Sequence, residues 1–201
     1  MLNYNMYSMK NIYYVVVLSL FSIFTFAQDL QVTLSKSNAC PGESITATVN
    51  GPEDELSTPA SIANNNSGVM FDIVASKSAI ITGFTANPLT NGTDFEVYYR
   101  VGSFVGHETS STGWVLLGSS TNISAGPGNI GVNLSRSIVA GQTLGFYVTS
   151  STAGNYIYYV NGTSVGTLLA SDTYLTIEEG VGKGYPFGGT NTPRNFVGSV
   201  L

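Results

Sequence analysis

The stretch "DFEVYYRV" (94–101) constrains the fold most. Phe95, Val97, Tyr99 and Val101 fall on one side of an extended chain, and Asp94, Glu96, Tyr98 and Arg100 on the other. Alternation of that kind is the signature of a strand with one apolar face, and it is incompatible with the helical repeat. Segments of the same type recur down the chain: "SITATV" (44–49), "VMFDIVA" (69–75), "AIITGFTA" (79–86), "WVLLGSS" (114–120), "NIGVNLS" (129–135), "TLGFYVTS" (143–150), "YIYYVN" (156–161) and "TYLTIEE" (173–179). Turn-forming runs separate them, among them "NPLTNGT" (87–93), "SAGPGN" (124–129), "VAGQ" (139–142), "TAGN" (152–155) and "NGTSVGT" (161–167). About eight strands at this spacing predict an all-β fold, an antiparallel sandwich of jelly-roll type, over residues 57–201.

The first 27 residues are set apart. Lys10 is the only charge before Asp29, and an uncharged apolar run spans Ile12 to Ala27. Thr25 and Ala27 suit the −3 and −1 positions of a signal-peptidase site, so cleavage before Gln28 and export are expected. The run is short for a spanning helix, which needs about 20 residues, although a retained anchor is the alternative. Met9-Lys10 offers a second plausible start to the same signal.

Beyond Lys10 the chain has six Lys and Arg against twelve Asp and Glu. That acidic balance speaks against a nucleic-acid partner, since phosphates need cations to neutralise them. Charged residues form only 9% of the chain, so its surface is polar through hydroxyls and amides. The single cysteine, Cys40, excludes an internal disulfide framework, and stability must come from burial and sheet pairing.

Residues 28–56 differ in character. "LQVTLSKSNACPGESITATVNG" reads as two short strands about a Cys-Pro-Gly-Glu turn, and "GPEDELSTPASIANNNSG" (51–68) has linker composition. The first of these resembles the opening strands of Ig-like repeats in large secreted proteins of Bacteroidetes. Only a stub of about 30 residues matches, and the resemblance implies that Cys40 is half of a disulfide whose usual partner is missing. Residues 57–201 resemble a β-sandwich module of multidomain secreted proteins of the same bacteria. The matching blocks are "GVMFDIVASKSAIITGFTAN", "FEVYYRVGSFVGHET", "GWVLLGSS", "AGQTLGFYVTSS" and "ASDTYLTIEEGVGKGYPFGG". The resemblance implies surface or matrix work without defined catalysis.

Candidate chemistry is sparse. "GVGKGYPFGG" (180–189) has glycines around a lysine, but a phosphate loop needs Ser or Thr after Lys183, where Gly184 stands, and Pro186 blocks the helix that must follow. No nucleotide is expected. The run reads as a turn whose glycines supply positive φ and close approach, with Tyr185 and Phe187 covering a sheet edge. His107, the only histidine, reads as a loop residue, because one histidine makes neither a His-based metal site nor an arguable triad. Glycoside hydrolysis needs two carboxylates about 5–10 Å apart. Asp72, Asp94, Glu96, Glu108, Asp172, Glu178 and Glu179 are available, with nothing in their spacing to select a pair. No cofactor is expected. Ca²⁺ is the one ion considered, through "PEDE" (52–55) and Glu108 or Asp172, although no D-x-D-x-D-G spacing is present.

The tyrosines give the best-defined set. Phe84, Phe95, Tyr99 and Phe146 are assigned to the core by alternation, whereas Tyr98, Tyr147 and one of Tyr158 and Tyr159 fall on the opposite faces of their strands. Tyr98 with Arg100 and Glu96 on one strand face, Tyr147, and Tyr185 as a stacking ring, form a candidate glycan-binding set. The opposing reading is that these tyrosines sit there for β-propensity and cross-strand pairing. The expected function is a non-catalytic adhesion or glycan-binding module of an exported, cell-surface protein. A structural subunit that pairs through edge strands or its N-terminal arm is the alternative, and a glycoside-acting enzyme is the remote one.

Overall fold

The computed structural model describes residues 31–34, 47–50 and 54–201, with side chains over 54–201. The expected signal segment, Cys40 and the start of "PEDE" lie outside the described residues. Two compact units divide at Glu53/Asp54. In the first, β1 (Gln31–Leu34) pairs antiparallel with β2 (Ala47–Asn50), Gln31 opposite Asn50, so the two strands expected about the Cys-Pro-Gly-Glu turn are present.

The second unit is an antiparallel β-sandwich of unequal layers, and no helix occurs among the described residues. The larger sheet runs β4 (Asn64–Asn66), β13 (Ile157–Asn161), β17 (Thr190–Phe196), β16 (Gly180–Lys183), β5 (Gly68–Ala75), β12 (Thr143–Ser150), β8 (Thr93–Val101) and β9 (Val115–Ile123). β15 (Leu175–Glu178) also pairs with β5, and β14 (Leu168–Ser171) pairs with β15. The opposing layer is β10 (Gly128–Asn129), β7 (Phe84–Ala86), β18 (Ser199–Val200) and β3 (Leu56–Ser57). A ribbon of β6 (Ala79–Ile81) with β11 (Arg136–Ile138) accompanies it.

Alternation decides which side chains enter the space between the layers. Val69, Phe71 and Ile73 of β5, Leu144, Phe146 and Val148 of β12, and Phe95 and Val97 of β8 point inward and are fully buried. Phe84 meets them from the opposing layer: its ring lies edge-on to Phe71 at 6.1 Å and to Phe146 at 5.3 Å, and Phe71 stacks on Phe196 at 4.6 Å. Each buried aromatic removes roughly 150–250 Å² from water, so this cluster dominates the stability of the sandwich.

The strands are more numerous than the eight expected, for identifiable reasons. "AIITGFTA" breaks at Thr82-Gly83, where backbone bonds to Leu201 and Leu134 take over, and its halves join different sheets. "NIGVNLS" keeps only its first residue as strand; Ile130 and Val132 are buried without a ladder. β3 and β4 form inside the stretch of linker composition, with Leu56 buried opposite Val200. β16 lies in the run expected to be a turn, and β17 lies beyond the expected strands. They pair because glycine lets the backbone come close: a Cβ on Gly180 would stand 1.8 Å from the Met70 carbonyl oxygen, and one on Gly182 would stand 3.0 Å from the Tyr159 ring.

Candidate functional site

The outward-facing residues of the same strands do not face open solvent. Met70 of β5, Tyr147 of β12 and Val181 of β16 lie in one cross-strand row with Tyr98 of β8. Together with Phe104 and Trp114 they form a second buried cluster, against which Tyr98, Val165 and Phe187 pack. Two segments lay this cover over the sheet. One is residues 102–114, which bring Phe104 and Trp114; the other is 184–189, which brings Phe187.

The first cover is tied down by a buried acid. Asp72 is 4% exposed, and its Oδ1 accepts the Phe104 N–H at 2.9 Å. Burial pushes its pKa above the ordinary carboxylate value, although Ser103, Phe104 and Arg100 pull the other way. Glu178 is also raised by burial and by the Asp72 charge. Within the segment, the Trp114 Nε1–H donates to the His107 carbonyl at 3.0 Å. His107 is therefore an exposed loop residue, as its isolation in the sequence implied.

Lys183 ties down the second. It has no exposed surface, and its Nζ donates to the Gly188 carbonyl and to Thr190 Oγ1, the latter at 2.7 Å. Burial lowers its pKa, and the charge of Glu108 offsets this in part. The Tyr147 hydroxyl donates to the Gly184 carbonyl at 3.3 Å. Lys183 thus holds a turn of its own chain, and with no exposed surface its ammonium is not presented to a phosphate from solvent. Of the two roles expected for the glycines, close backbone approach holds and positive φ is corrected. None of those in 180–189 has positive φ, and Phe187 covers a sheet face rather than an edge.

The tyrosine set is largely brought together. Tyr98 and Tyr147 stack at 5.9 Å with 23° between their planes, and Phe187 meets them at 5.5 and 5.3 Å. The Tyr98 hydroxyl donates to Glu96 Oε2 at 2.6 Å. Burial and the Glu96 carboxylate raise the pKa of Tyr98, and the same two causes in the same order raise that of Tyr185. Tyr185 is 39% exposed and stands at the rim beside Glu96.

Two members of the set depart from expectation. Tyr147 lies on the expected face but has no exposed surface, because the 102–114 and 184–189 segments cover it; it supports the rim and offers no ring to a ligand. Arg100 belongs to a different neighbourhood, drawn toward Asp72 and the chain at Gly113, with its buried Nε unpartnered. Of Tyr158 and Tyr159, Tyr159 is the core residue. Phe104 was missed and Trp114 was read only as the start of a strand; the available signal for Phe104 was a large apolar side chain within the Gly- and Ser-containing run "VGSFVG".

Of the carboxylates weighed for calcium, Asp172 is engaged within its own turn. Asp172 Oδ1 accepts the backbone N–H groups of Tyr174 and Leu175, each at 2.7 Å, and closes the β14–β15 turn. Glu108 is the charge beside Lys183. Among the described residues no group of three or more His, Cys, Asp or Glu side chains is placed to hold a metal ion. Glu179, buried, accepts from Thr163, Ser164 and Asn195. Burial alone would raise its pKa, but these hydrogen bonds bring it below the ordinary value. A separate concavity lies at the opposite end of the β8–β9 pair, lined by Asn122 to Asn129.

An antiparallel sandwich whose larger sheet carries a loop-covered aromatic outer face is the class these features define. No protein-family model and no curated protein sequence matches the chain. Among solved structures it is similar to that of the cysteine protease and lectin-like domains of Cwp84, a surface layer associated protein of Clostridium difficile. The identity is 17% and the TM-score 0.43, over 76% of this chain and 37% of that one.

Proposed function

We propose that the sandwich is a non-catalytic binding module of an exported, cell-surface protein, of the secreted Bacteroidetes type that residues 57–201 resemble, and that it contacts glycans through Glu96, Tyr98 and Tyr185. The observation that carries this reading is the rim itself. Tyr185 stands exposed beside a carboxylate that already holds Tyr98, above the packed rings of Tyr98, Tyr147 and Phe187. A pre-ordered aromatic next to a fixed polar group suits a sugar, which offers a C–H face and a hydroxyl rim, and little ordering entropy remains to be lost on binding. Export is supported by the apolar run that ends at Thr25 and Ala27.

Catalysis is disfavoured by the placement of the acids. Asp72 has the raised pKa of a general acid, but it is sealed beneath Phe104 with an oxygen committed to a backbone N–H. A glycan array probed with the purified protein tests the proposal. Saturable binding that is lost in Tyr185→Ala and retained in Ser124→Ala, a change at the opposite end of β8–β9, is the expected result. Binding unaffected by Tyr185→Ala would move the site elsewhere.

One observation favours a second reading, a structural unit. β9 is a nine-residue strand at the end of the larger sheet, and Val115 and Leu116 on it are about half exposed. Uncovered edges of this length are templates for strand addition. A mass of two or more subunits in solution, reduced to one by Leu117→Pro within β9, would support that role.

A further inference from the structure

We propose that the group this rim selects is a protonated amine, carried on an amino sugar rather than on a neutral or acidic one; the inference rests on the glycan reading above and specifies its ligand.

The argument begins with charge. Glu96 sits on β8 in a row that reads Ser119, Glu96, Thr149, Gly68, Lys183 and Thr190 across the sheet. Neighbouring strands are about 4.8 Å apart, so the first cation in that row stands some 14 Å from Glu96, and it is turned into its own loop. Arg100, two residues along the same face, is drawn to Asp72. Thr149 cannot serve as a donor either, since its hydroxyl donates to the Ser150 carbonyl. Among the described residues, Tyr98 donates to this carboxylate at 2.6 Å, and Tyr185 stands beside it.

A carboxylate has about four acceptor sites, so the one hydrogen bond from Tyr98 leaves most of them open and gives no compensating charge. The rings beside it present negative π-faces, which attract a cation and give nothing to an anion. A hexosamine ammonium meets both demands at once: a charge-assisted hydrogen bond to Glu96 and a cation–π contact with Tyr185, while the pyranose C–H face lies on the same ring. N-acetylation would remove the charge and add bulk at the carboxylate. A uronic acid would place like charges together.

The experiment titrates the purified protein with glucosamine oligosaccharides, their N-acetylated counterparts of equal length, oligogalacturonate and an oligolysine peptide, at mildly acidic pH and at low and high salt. The expected order places the glucosamine oligomer about tenfold tighter than its acetylated form, weakened by salt, with oligogalacturonate unbound. In Glu96→Gln, which keeps the shape and loses the charge, that advantage should disappear. Equal or tighter binding of the acetylated oligomer would overturn the amine while leaving the glycan reading intact. Binding of oligolysine without any sugar would transfer the site to a protein amine and overturn the proposal. No binding to any sugar, here or on the array, would remove both.

Discussion

The two faces of the larger sheet are made by the same strands and held in different ways. Inward, Phe71, Phe146 and Phe196 meet Phe84 of a second layer, and the cover is itself hydrogen-bonded sheet. Outward, Tyr147 and Met70 are buried just as fully, but the cover is two stretches of loop, pinned by Asp72 at one place and Lys183 at another. For Tyr147 and Met70 burial equals that of the inner rings; connectivity differs. A sheet layer yields only with the fold, whereas a loop can yield alone. The outer face is therefore where this protein can present chemistry without endangering its core.

The largest effect should come from the inner face. Phe71→Ala removes a ring that touches Phe84, Phe146 and Phe196, and about 3–5 kcal/mol of stability should be lost in chemical denaturation. Phe187→Ala is the matched test outside. Its ring is partly exposed and supported by loop, so the loss should be about 1–2 kcal/mol. The emission of Trp114, the single tryptophan, whose ring lies 6.0 Å from Phe187, should shift to the red as water reaches it. Equal losses for the two variants would show that the loops are as integral as the second sheet, and the contrast would fail.

The smallest effect sharpens the comparison through pH. The folded-state pKa of Asp72 is raised above its ordinary 3.8, so the folded protein holds that proton more tightly than the unfolded chain does. Its contribution is then most favourable below that value and is lost as pH rises through the shifted one, with Glu178 acting in the same direction. Glu179, lowered by its hydrogen bonds, works oppositely and costs stability as pH falls. Asp72→Asn keeps an acceptor for Phe104 and removes the titration. Stability measured from acid to neutral pH should lose the part of its decline that Asp72 causes. Superimposable profiles for wild type and variant would mean that burial at Asp72 costs nothing.

How much of this was legible follows the same divide. β12 coincides with "TLGFYVTS", and β8 with "DFEVYYRV" plus one residue, because central strands with one apolar face announce themselves by alternation. Alternation likewise put Glu96 and Tyr98 on one strand face, whereas Tyr185 was singled out only from its place in the Gly-rich loop. β16 and β17 were not: "GVGK" and "TNTPRNF" lack an apolar alternation, and what buries them is backbone approach and a lysine satisfied by a carbonyl and a threonine. Tyr147 shows the limit most clearly. Its face follows from period two, but its burial depends on the 102–114 and 184–189 loops, more than 30 residues away on either side, and that information is not local.

The buried ammonium of Lys183 has a consequence for how the protein is handled. Between residues 54 and 201 there are only two lysines, and the other, Lys77, is exposed at the end of β5. Amine-directed dyes, biotin esters and activated array surfaces need a free, uncommitted nitrogen, which Lys183 does not offer. Within the sandwich such reagents should attach at Lys77 alone, so a single modified peptide should appear on digestion. The Glu96–Tyr185 rim carries no lysine of its own and would stay unmodified through immobilisation.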